Sequence, residues 1–409
     1  MVGVRQRFDA VALEDPAATT RQELTRVGLA GAVAPGARIA VAAGSRGIAN
    51  LAAITRAVVD AVRQAGGRPF LFPAMGSHGG ATAEGQRQVL ASYGLTEESM
   101  GAPVESTMEV VELSRLADGT PVLVNRLAAG ADGIILINRV KPHTSFRGPF
   151  ESGLMKMMTI GLGSHRGATY AHAQGAQGLA RIIPAVGRAV IERLPVLLGL
   201  AIIETAYEQT GRIVALRAQE IEPREPELLE EARAAMPRLL VDGIDLLIVD
   251  EMGKDISGTG MDTNVIGRMM LPGVPEPEHP GVSRIMVRAL SERTHGNANG
   301  VGLADVVTRR LYNQIDFKAT YANAFTSTFL NRAYIPVVME TDQEAVEAML
   351  AVLHLEDPTA ARVARIRSTL EVERIQLSEP LAQQYAGHPD LERLGEPAPM
   401  AFDGEGTLQ

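Results

Sequence analysis

Short apolar runs rich in β-branched residues, closed by glycine or polar residues, recur along the chain at 38–43 (RIAVAA), 68–72 (RPFLF), 133–138 (GIILIN), 198–204 (LGLAIIE) and 246–250 (LLIVD). Such runs predict buried strands. Between them the apolar positions switch to helical spacing, at 50–65 (NLAAITRAVVDAVRQA), 84–93 and 179–193. The first of these helices stops at Gly66-Gly67, a C-terminal glycine signal. Strand and helix in alternation predict an α/β fold whose sheets are mostly parallel and flanked by helices.

In such sheets ligands sit beyond the carboxyl ends of the strands. Three polar loops fall there: Gly44-Ser45-Arg46-Gly47, Met75-Gly76-Ser77-His78-Gly79-Gly80, and Arg139-Val140-Lys141-Pro142-His143-Thr144. Their convergence on one sheet edge is the main argument for a site. The charged, proline-containing stretch 220–238 (EIEPREPELLEEARAAMPR) predicts a boundary between a domain over 1–238 and a second α/β domain over 239–409. The active site is expected in the cleft between them. Residues 395–409 read as a loosely held tail.

Composition narrows the chemistry. The 409 residues are 46% hydrophobic and 21% charged, the profile of a globular protein, with a formal charge of −9. No Lys/Arg block offers a surface for nucleic acid, and with no Trp and 4% aromatics a base-stacking platform is not expected either. Cysteine is absent, which removes disulfides, thiolate metal sites and cysteine nucleophiles. No apolar stretch is long enough to span a bilayer and residues 1–16 lack a signal-type core, so no membrane association and a cytoplasmic location are expected.

His78 stands among glycines that let the backbone turn and a ligand approach, which suits a general base near neutral pH. A loop histidine bonded to its own turn fits equally well. His143 follows Pro142 in a loop where Arg139, Lys141 and Arg147 gather positive charge suited to an anionic ligand. An exposed basic loop is the plain alternative. Lys156 interrupts an apolar run (GLMKMM), where burial would free its amine as a nucleophile; snorkelling to the surface is the default. His165 and His172 are seven residues apart, too far for a helical i,i+4 metal pair, and no HExxH motif occurs. Arg46 could clamp a carboxylate or pair with a neighbouring acid. After the strand 246–250, the loop GKDISGTGMDTN could cradle phosphate through the backbone at Gly258, Thr259 and Gly260, with Lys254 and Arg268 as cations, although it is neither a Walker A motif nor a dinucleotide fingerprint. Asn297-Ala298-Asn299-Gly300 and Arg332 are lesser candidates, read as structural.

The runs GSRGIAN, PAMGSHGGAT, NRVKPHTSFRGPFESGLMKM and YAHAQG occur in an order that resembles the nickel-dependent lactate racemase family across nearly the whole N-terminal half, with a fainter continuation into GKDISGTGMDTNV. That family carries a nickel-pincer nucleotide, a pyridinium mononucleotide whose carbon and two sulfur-bearing arms hold the metal. The resemblance implies that Lys156 tethers this cofactor covalently, that His172 is the protein's nickel ligand, and that His78 and His143 are alternating acid and base while a hydride leaves and returns to the substrate's α-carbon. It also implies that Arg46 binds the substrate carboxylate; Arg147, from the positive patch around His143, and Arg268, beside the second loop, are read as further substrate-side cations. The expected activity is a racemase or epimerase of a small 2-hydroxy acid. The alternative is a nucleotide- or anion-binding protein of the same fold without racemase activity. Everything here is compatible with a homo-oligomer.

The chain departs from the family pattern on the substrate side. Ala43 stands where the family has an Asp before the Arg of the first loop, and Gly79 where an Arg follows the first catalytic His. The interval from His143 to Lys156 is longer than usual, and Gly267 and Met270 replace a Gln and a Lys near the substrate. These changes point to a hydroxy acid other than lactate.

Overall fold

The computed structural model describes residues 1–44 and 47–409; Ser45 and Arg46 lie outside the described residues. The chain forms two compact units, Ala10–Met236 and Met1–Asp9 with Pro237–Gln409. Strand β1 (Val2–Gln6) thus belongs with the C-terminal residues rather than with the domain that follows it, unlike the expected 1–238 unit.

In the unit Ala10–Met236, the strands β2 (Arg38–Ala43), β3 (Arg68–Pro73), β6 (Gly133–Arg139), β7 (Val196–Glu204) and β8 (Thr210–Arg217) form a sheet in the order β3-β2-β6-β7-β8. A separate hairpin pairs β4 (Val110–Arg115) with β5 (Pro121–Asn125). The first four strands of the larger sheet are parallel and β8 is antiparallel. Both faces are covered, so the central strands read as unbroken apolar runs: Ala40 to Ala43 and Ile134 to Ile137 are buried. The chain leaves β2 first toward β3 and later returns on its other side as β6. That reversal is the switch point at which α/β sheets receive ligands, and the loops after β2, β3 and β6 all start at this carboxyl edge.

The stretch read as a boundary is a helix, Ala218–Ala235, despite Pro223 and Pro226. Ile221, Leu228, Leu229 and Ala232 form a buried stripe at helical spacing, and this packing outweighs the cost of the prolines.

The other unit holds an eight-stranded sheet. It combines β9 (Ile244–Met252), β10 (Val282–Leu290), β11 (Val306–Thr308), β12 (Val337–Met339), β13 (Val363–Ile366), β14 (Arg374–Leu377) and β15 (Leu391–Arg393) with β1, in the order β12-β11-β10-β9-β13-β14-β1-β15. Strands β9 to β13 run parallel, and β1 is antiparallel to both neighbours. The buried Gln6 side chain ties the chain's passages into and out of this unit together, donating to the carbonyls of Arg238 and Val372 and accepting from Leu240 N–H at 2.7 Å. The tail is not loose. Leu408 is buried, its N–H donates to Asp342, and Arg288 bonds both the Leu408 carbonyl and Asp342. Among the described residues no helix is long and apolar enough to cross a membrane.

Candidate active site

Strand β6 delivers two of the candidate groups. Beyond it, the backbone of Lys141 and Ser152 exchanges two hydrogen bonds and closes a loop that carries His143. The loop is fixed from inside by Glu151, which is 1% exposed: one carboxylate oxygen accepts the His143 N–H at 2.5 Å and the other faces Arg233 at 3.3 Å. Arg147 donates to the His143 carbonyl and lies 3.5 Å from Glu151. Its guanidinium therefore braces the loop. The His143 ring accepts the Ser145 N–H at Nδ1 (3.0 Å), which assigns the proton of the neutral ring to Nε2.

Phe146 connects this histidine to the lysine. The His143 ring packs on the buried Phe146 ring with centroids 4.3 Å apart, and Lys156 Nζ stands 5.8 Å from the same centroid. Lys156 ends a single helical turn, Leu154–Lys156, that passes directly into a π-helix, Met157–Gly161, where Leu162 N–H reaches back five residues to Met157. Such π segments are rare and concentrate at functional sites. The turn is held at its start by Glu225, whose Oε2 accepts the Leu154 and Met155 N–H groups at 2.7 and 3.0 Å. Glu225 is buried, and its Oε1 has no hydrogen-bond partner. Burial pushes its pKa up to about 7, against the lowering effect of the two N–H groups. A Cβ on Gly153 would lie 2.3 Å from Oε1, so a larger residue there would have to displace the Glu225 carboxylate.

His172 closes the next helix, Ser164–His172. Burial, aided by the nearby positive charge of Lys156, holds its pKa down at about 4, so the imidazole is neutral at physiological pH. A neutral imidazole is the form that binds metals.

His78 follows β3 and is exposed. The buried Gln86 side chain anchors its loop by donating to the Gly76 carbonyl (2.9 Å) and the His78 carbonyl (3.3 Å). The loop rests on the lysine-bearing segment: a Cβ on Gly76 (φ +60°) would meet Ile160 and Ala168 at 3.2 Å, and one on Gly161 would meet the Ala74 carbonyl at 2.6 Å. Gly79 has φ +64°, and a Cβ there would lie 2.5 Å from Gln86 N, so no side chain fits where the family has its Arg. Gly44, which opens the first loop, would touch Asn138 and Met157. One edge of this unit therefore gathers the His143 loop, Lys156, His172 and the His78 loop. Arg46 itself lies outside the described residues.

In the other unit, Lys254, the Gly258–Gly260 loop and Arg268 have internal partners. Lys254 Nζ donates to the Gly258 carbonyl and to Asn323. The Thr259 hydroxyl donates to the Met261 carbonyl at 2.7 Å, and Gly260 (φ +74°) packs where a Cβ would meet Met252 and Asn299. The N–H groups of Gly253, Lys254, Ile256, Ser257 and Gly260 all bond within the fold, a pattern that closes the loop on itself. Arg268 is ion-paired to Asp305 at 2.6 Å and also bonds the carbonyls of Leu303 and Ser283. His165 is exposed and lines a groove of about 410 Å³ with Arg115, Arg166 and Tyr170.

Reading the sequence did not single out Glu151, Glu225, Arg233, Phe146 or Gln86. Glu225 carried a usable signal: it falls on the apolar stripe of Ile221, Leu228, Leu229 and Ala232, where a carboxylate needs a reason. Among the described residues no group of three His, Cys, Asp or Glu side chains could hold a metal ion. The residues present fit a metallated cofactor of another kind, because Lys156 offers an amine for attachment and the neutral His172 offers one nitrogen donor nearby. The remaining donors would have to come with the bound group.

Residues 21–180 match the family described as lactate racemase N-terminal domain, a span that contains all four of these candidates. No curated protein matches the chain. Among solved structures it is similar to the lactate racemase apoprotein from Thermoanaerobacterium thermosaccharolyticum, with a TM-score of 0.50 and 13% identity over 84% of this chain and 86% of that one. At that identity the likeness concerns the fold: mixed α/β, with mostly parallel sheets flanked by helices. Residues 21–180 thus carry the match to the lactate racemase N-terminal domain, and over the chain as a whole the likeness to a lactate racemase is one of fold.

Proposed function

We propose that the protein is a racemase or epimerase of a small 2-hydroxy acid that works with a nickel-pincer nucleotide. The observation that carries this reading is the meeting of His143 and Lys156 on Phe146, with His172 within electrostatic reach of the same lysine. Lys156 would bind the cofactor covalently and His172 would supply the protein's ligand to nickel. When bound, the cofactor would take a hydride from the substrate's α-carbon and return it to either face.

The protein's own part is proton handling and orientation. One imidazole takes the hydroxyl proton as the α-carbon becomes planar. After the keto acid turns over, the other imidazole returns a proton to the oxygen. His143, with Nδ1 accepting the Ser145 N–H, presents Nε2 as a donor, and that bond must open before the ring can take a second proton. Glu151 and Glu225 hold the backbone of the two loops and have no direct part in the chemistry.

The test is protein isolated from a host that makes the cofactor. It should contain stoichiometric nickel, carry a mass adduct on Lys156, and racemise one of a panel of 2-hydroxy acids. A 2-deuterated substrate should keep its label, since a hydride that never enters solvent does not exchange. Loss of label to water, or activity that survives both His78→Ala and His143→Ala, refutes the mechanism. The substrate-side departures at Ala43, Gly79, Gly267 and Met270 favour a second reading in which the fold binds an anion without racemising it. Stoichiometric loading without turnover of any acid in the panel would select that reading.

A further inference from the structure

The unit Met1–Asp9 with Pro237–Gln409 contains a buried guanidinium with no partner. Arg332 is 1% exposed, and its Nε and both terminal nitrogens make no hydrogen bond. Its backbone is well fixed in the short 3-10 turn Leu330–Ala333: the N–H donates to Phe329 and the carbonyl accepts Gly300 N–H at 2.8 Å. The next residue back from Gly300 is Asn299, also buried, whose side-chain Oδ1 likewise has no partner. Asn299 packs in turn on Gly260 of the Gly-rich loop. The acid that acts on Arg332 is Glu276, but its carboxylate already accepts the Met269 and Met270 N–H groups. Desolvation lowers the Arg332 pKa to about 10, which still leaves it charged at neutral pH.

A buried guanidinium that feels Glu276 only at a distance and makes no hydrogen bond is among the costlier arrangements in a fold. Five unpaired N–H donors in a planar fork match an oxyanion, and an unpaired carbonyl-type oxygen nearby matches a hydroxyl donor. We infer that Arg332 and Asn299 form a subsite for a small oxyanion that carries a hydroxyl group close to its charge. A hydroxy carboxylate and the phosphate-ribose end of a nucleotide share this chemistry. The site lies just below the surface, because the flanking Leu330 and Tyr334 are 48% and 65% exposed. The same turn is tied to the loop before it by the Asn331 side chain, which donates to the Met270 carbonyl. The inference does not depend on the racemase reading, since it concerns the other unit and needs neither nickel nor turnover.

The test is thermal unfolding of the metal-free protein at fixed ionic strength, titrated with lactate, with adenosine 5′-monophosphate and with inorganic phosphate. At least one probe should raise the midpoint by several degrees, and which of them does so separates a carboxylate from a phosphate source. In Arg332→Met that shift should vanish while the unliganded midpoint stays level or rises, because an unpaired buried charge has been removed. Arg332→Lys, which keeps the charge and loses the fork, should bind the effective probe at least about tenfold more weakly. Asn299→Ala should weaken lactate or the nucleotide more than inorganic phosphate. The inference is overturned if no probe shifts wild type, if the shift survives in Arg332→Met, or if Arg332→Lys binds as wild type does. A changed oligomeric state in Arg332→Met would assign the missing acceptor to a second copy of the chain and overturn it as well.

Discussion

Replacing Glu225 by Gln should change how stability depends on pH, and the change can be worked out from the structure. The carboxyl is buried, one oxygen holds the turn that ends in Lys156, and its pKa stands at about 7 against an ordinary 4.5. Between those values the folded protein keeps a proton that the unfolded chain has released. Stability therefore falls as pH rises through that window. A difference of about 2.5 units at 1.36 kcal/mol each amounts to about 3 kcal/mol, absent below pH 4.5 and fully present above pH 7. Gln keeps an acceptor for the Leu154 and Met155 N–H groups but cannot ionise. Its NH2 group falls where Oε1 has no partner, at a cost of roughly 1–3 kcal/mol that does not vary with pH.

The quantity to measure is therefore the difference between variant and wild-type midpoints by calorimetry at pH 5, 6, 7 and 8. In that difference every other titrating group cancels. For a unit of this size about 3 kcal/mol corresponds to roughly 6–12 °C, gained by the variant relative to wild type between pH 5 and 8. Parallel profiles, with a difference constant to about 1 °C, would show that Glu225 does not titrate in this range and would remove the argument that it sits in an uncompensated site.

His172 has the opposite sign. With its pKa lowered from 6.5 to about 4, the unfolded chain binds the extra proton, so up to about 3 kcal/mol of stability should be lost as pH falls from 6.5 to 4 in metal-free protein, and His172→Gln should flatten that acid limb in urea titrations. Glu151→Ala leaves the His143 N–H and the Arg233 guanidinium without their shared acceptor, so it should cost about 2–4 kcal/mol and lower kcat more than it raises KM; unchanged kcat would refute the bracing role. Gly161→Ala places a methyl 2.6 Å from the Ala74 carbonyl and should destabilise by about 1–3 kcal/mol while shifting the His78 loop, seen as reduced racemisation by loaded protein; wild-type stability would show that the contact relaxes at no cost.

The strands of the parallel sheet and the loops after them were legible because burial on both faces writes a continuous apolar run and because glycines cluster where the chain must turn. The helix Leu51–Gln64 was read to within a residue at each end for the same reason. Strands β11, β12 and β15 are three residues each, too short to carry a period. Strand β1 is recognisable only by its partners, β14 and β15, which lie at the far end of the chain. The helix Ala218–Ala235 was hidden by its prolines, although its buried stripe was present. At the site, His78 and His143 stood out as histidines in loops after strands, whereas Lys156 and His172 were singled out only by the resemblance of their motifs to the lactate racemase family. Glu151 looked like any other acid, since what distinguishes it is burial against a backbone N–H set by a loop, and the signal of Glu225 was hidden together with the helix that carries it. The tail looked loose because its composition is polar, and it is ordered by an ion network on Asp342 that no local pattern announces.

Strand β1 also sets a timetable for the ribosome. Residues 2–6 leave the exit tunnel long before their hydrogen-bonding partners at 374–377 and 391–393. At about 5–20 residues per second the wait is roughly 20–70 s, long enough for the intervening unit to finish folding first. Throughout that delay a nascent strand presents unsatisfied edges to other chains, and Arg5 within it is the kind of gatekeeper that discourages such pairing.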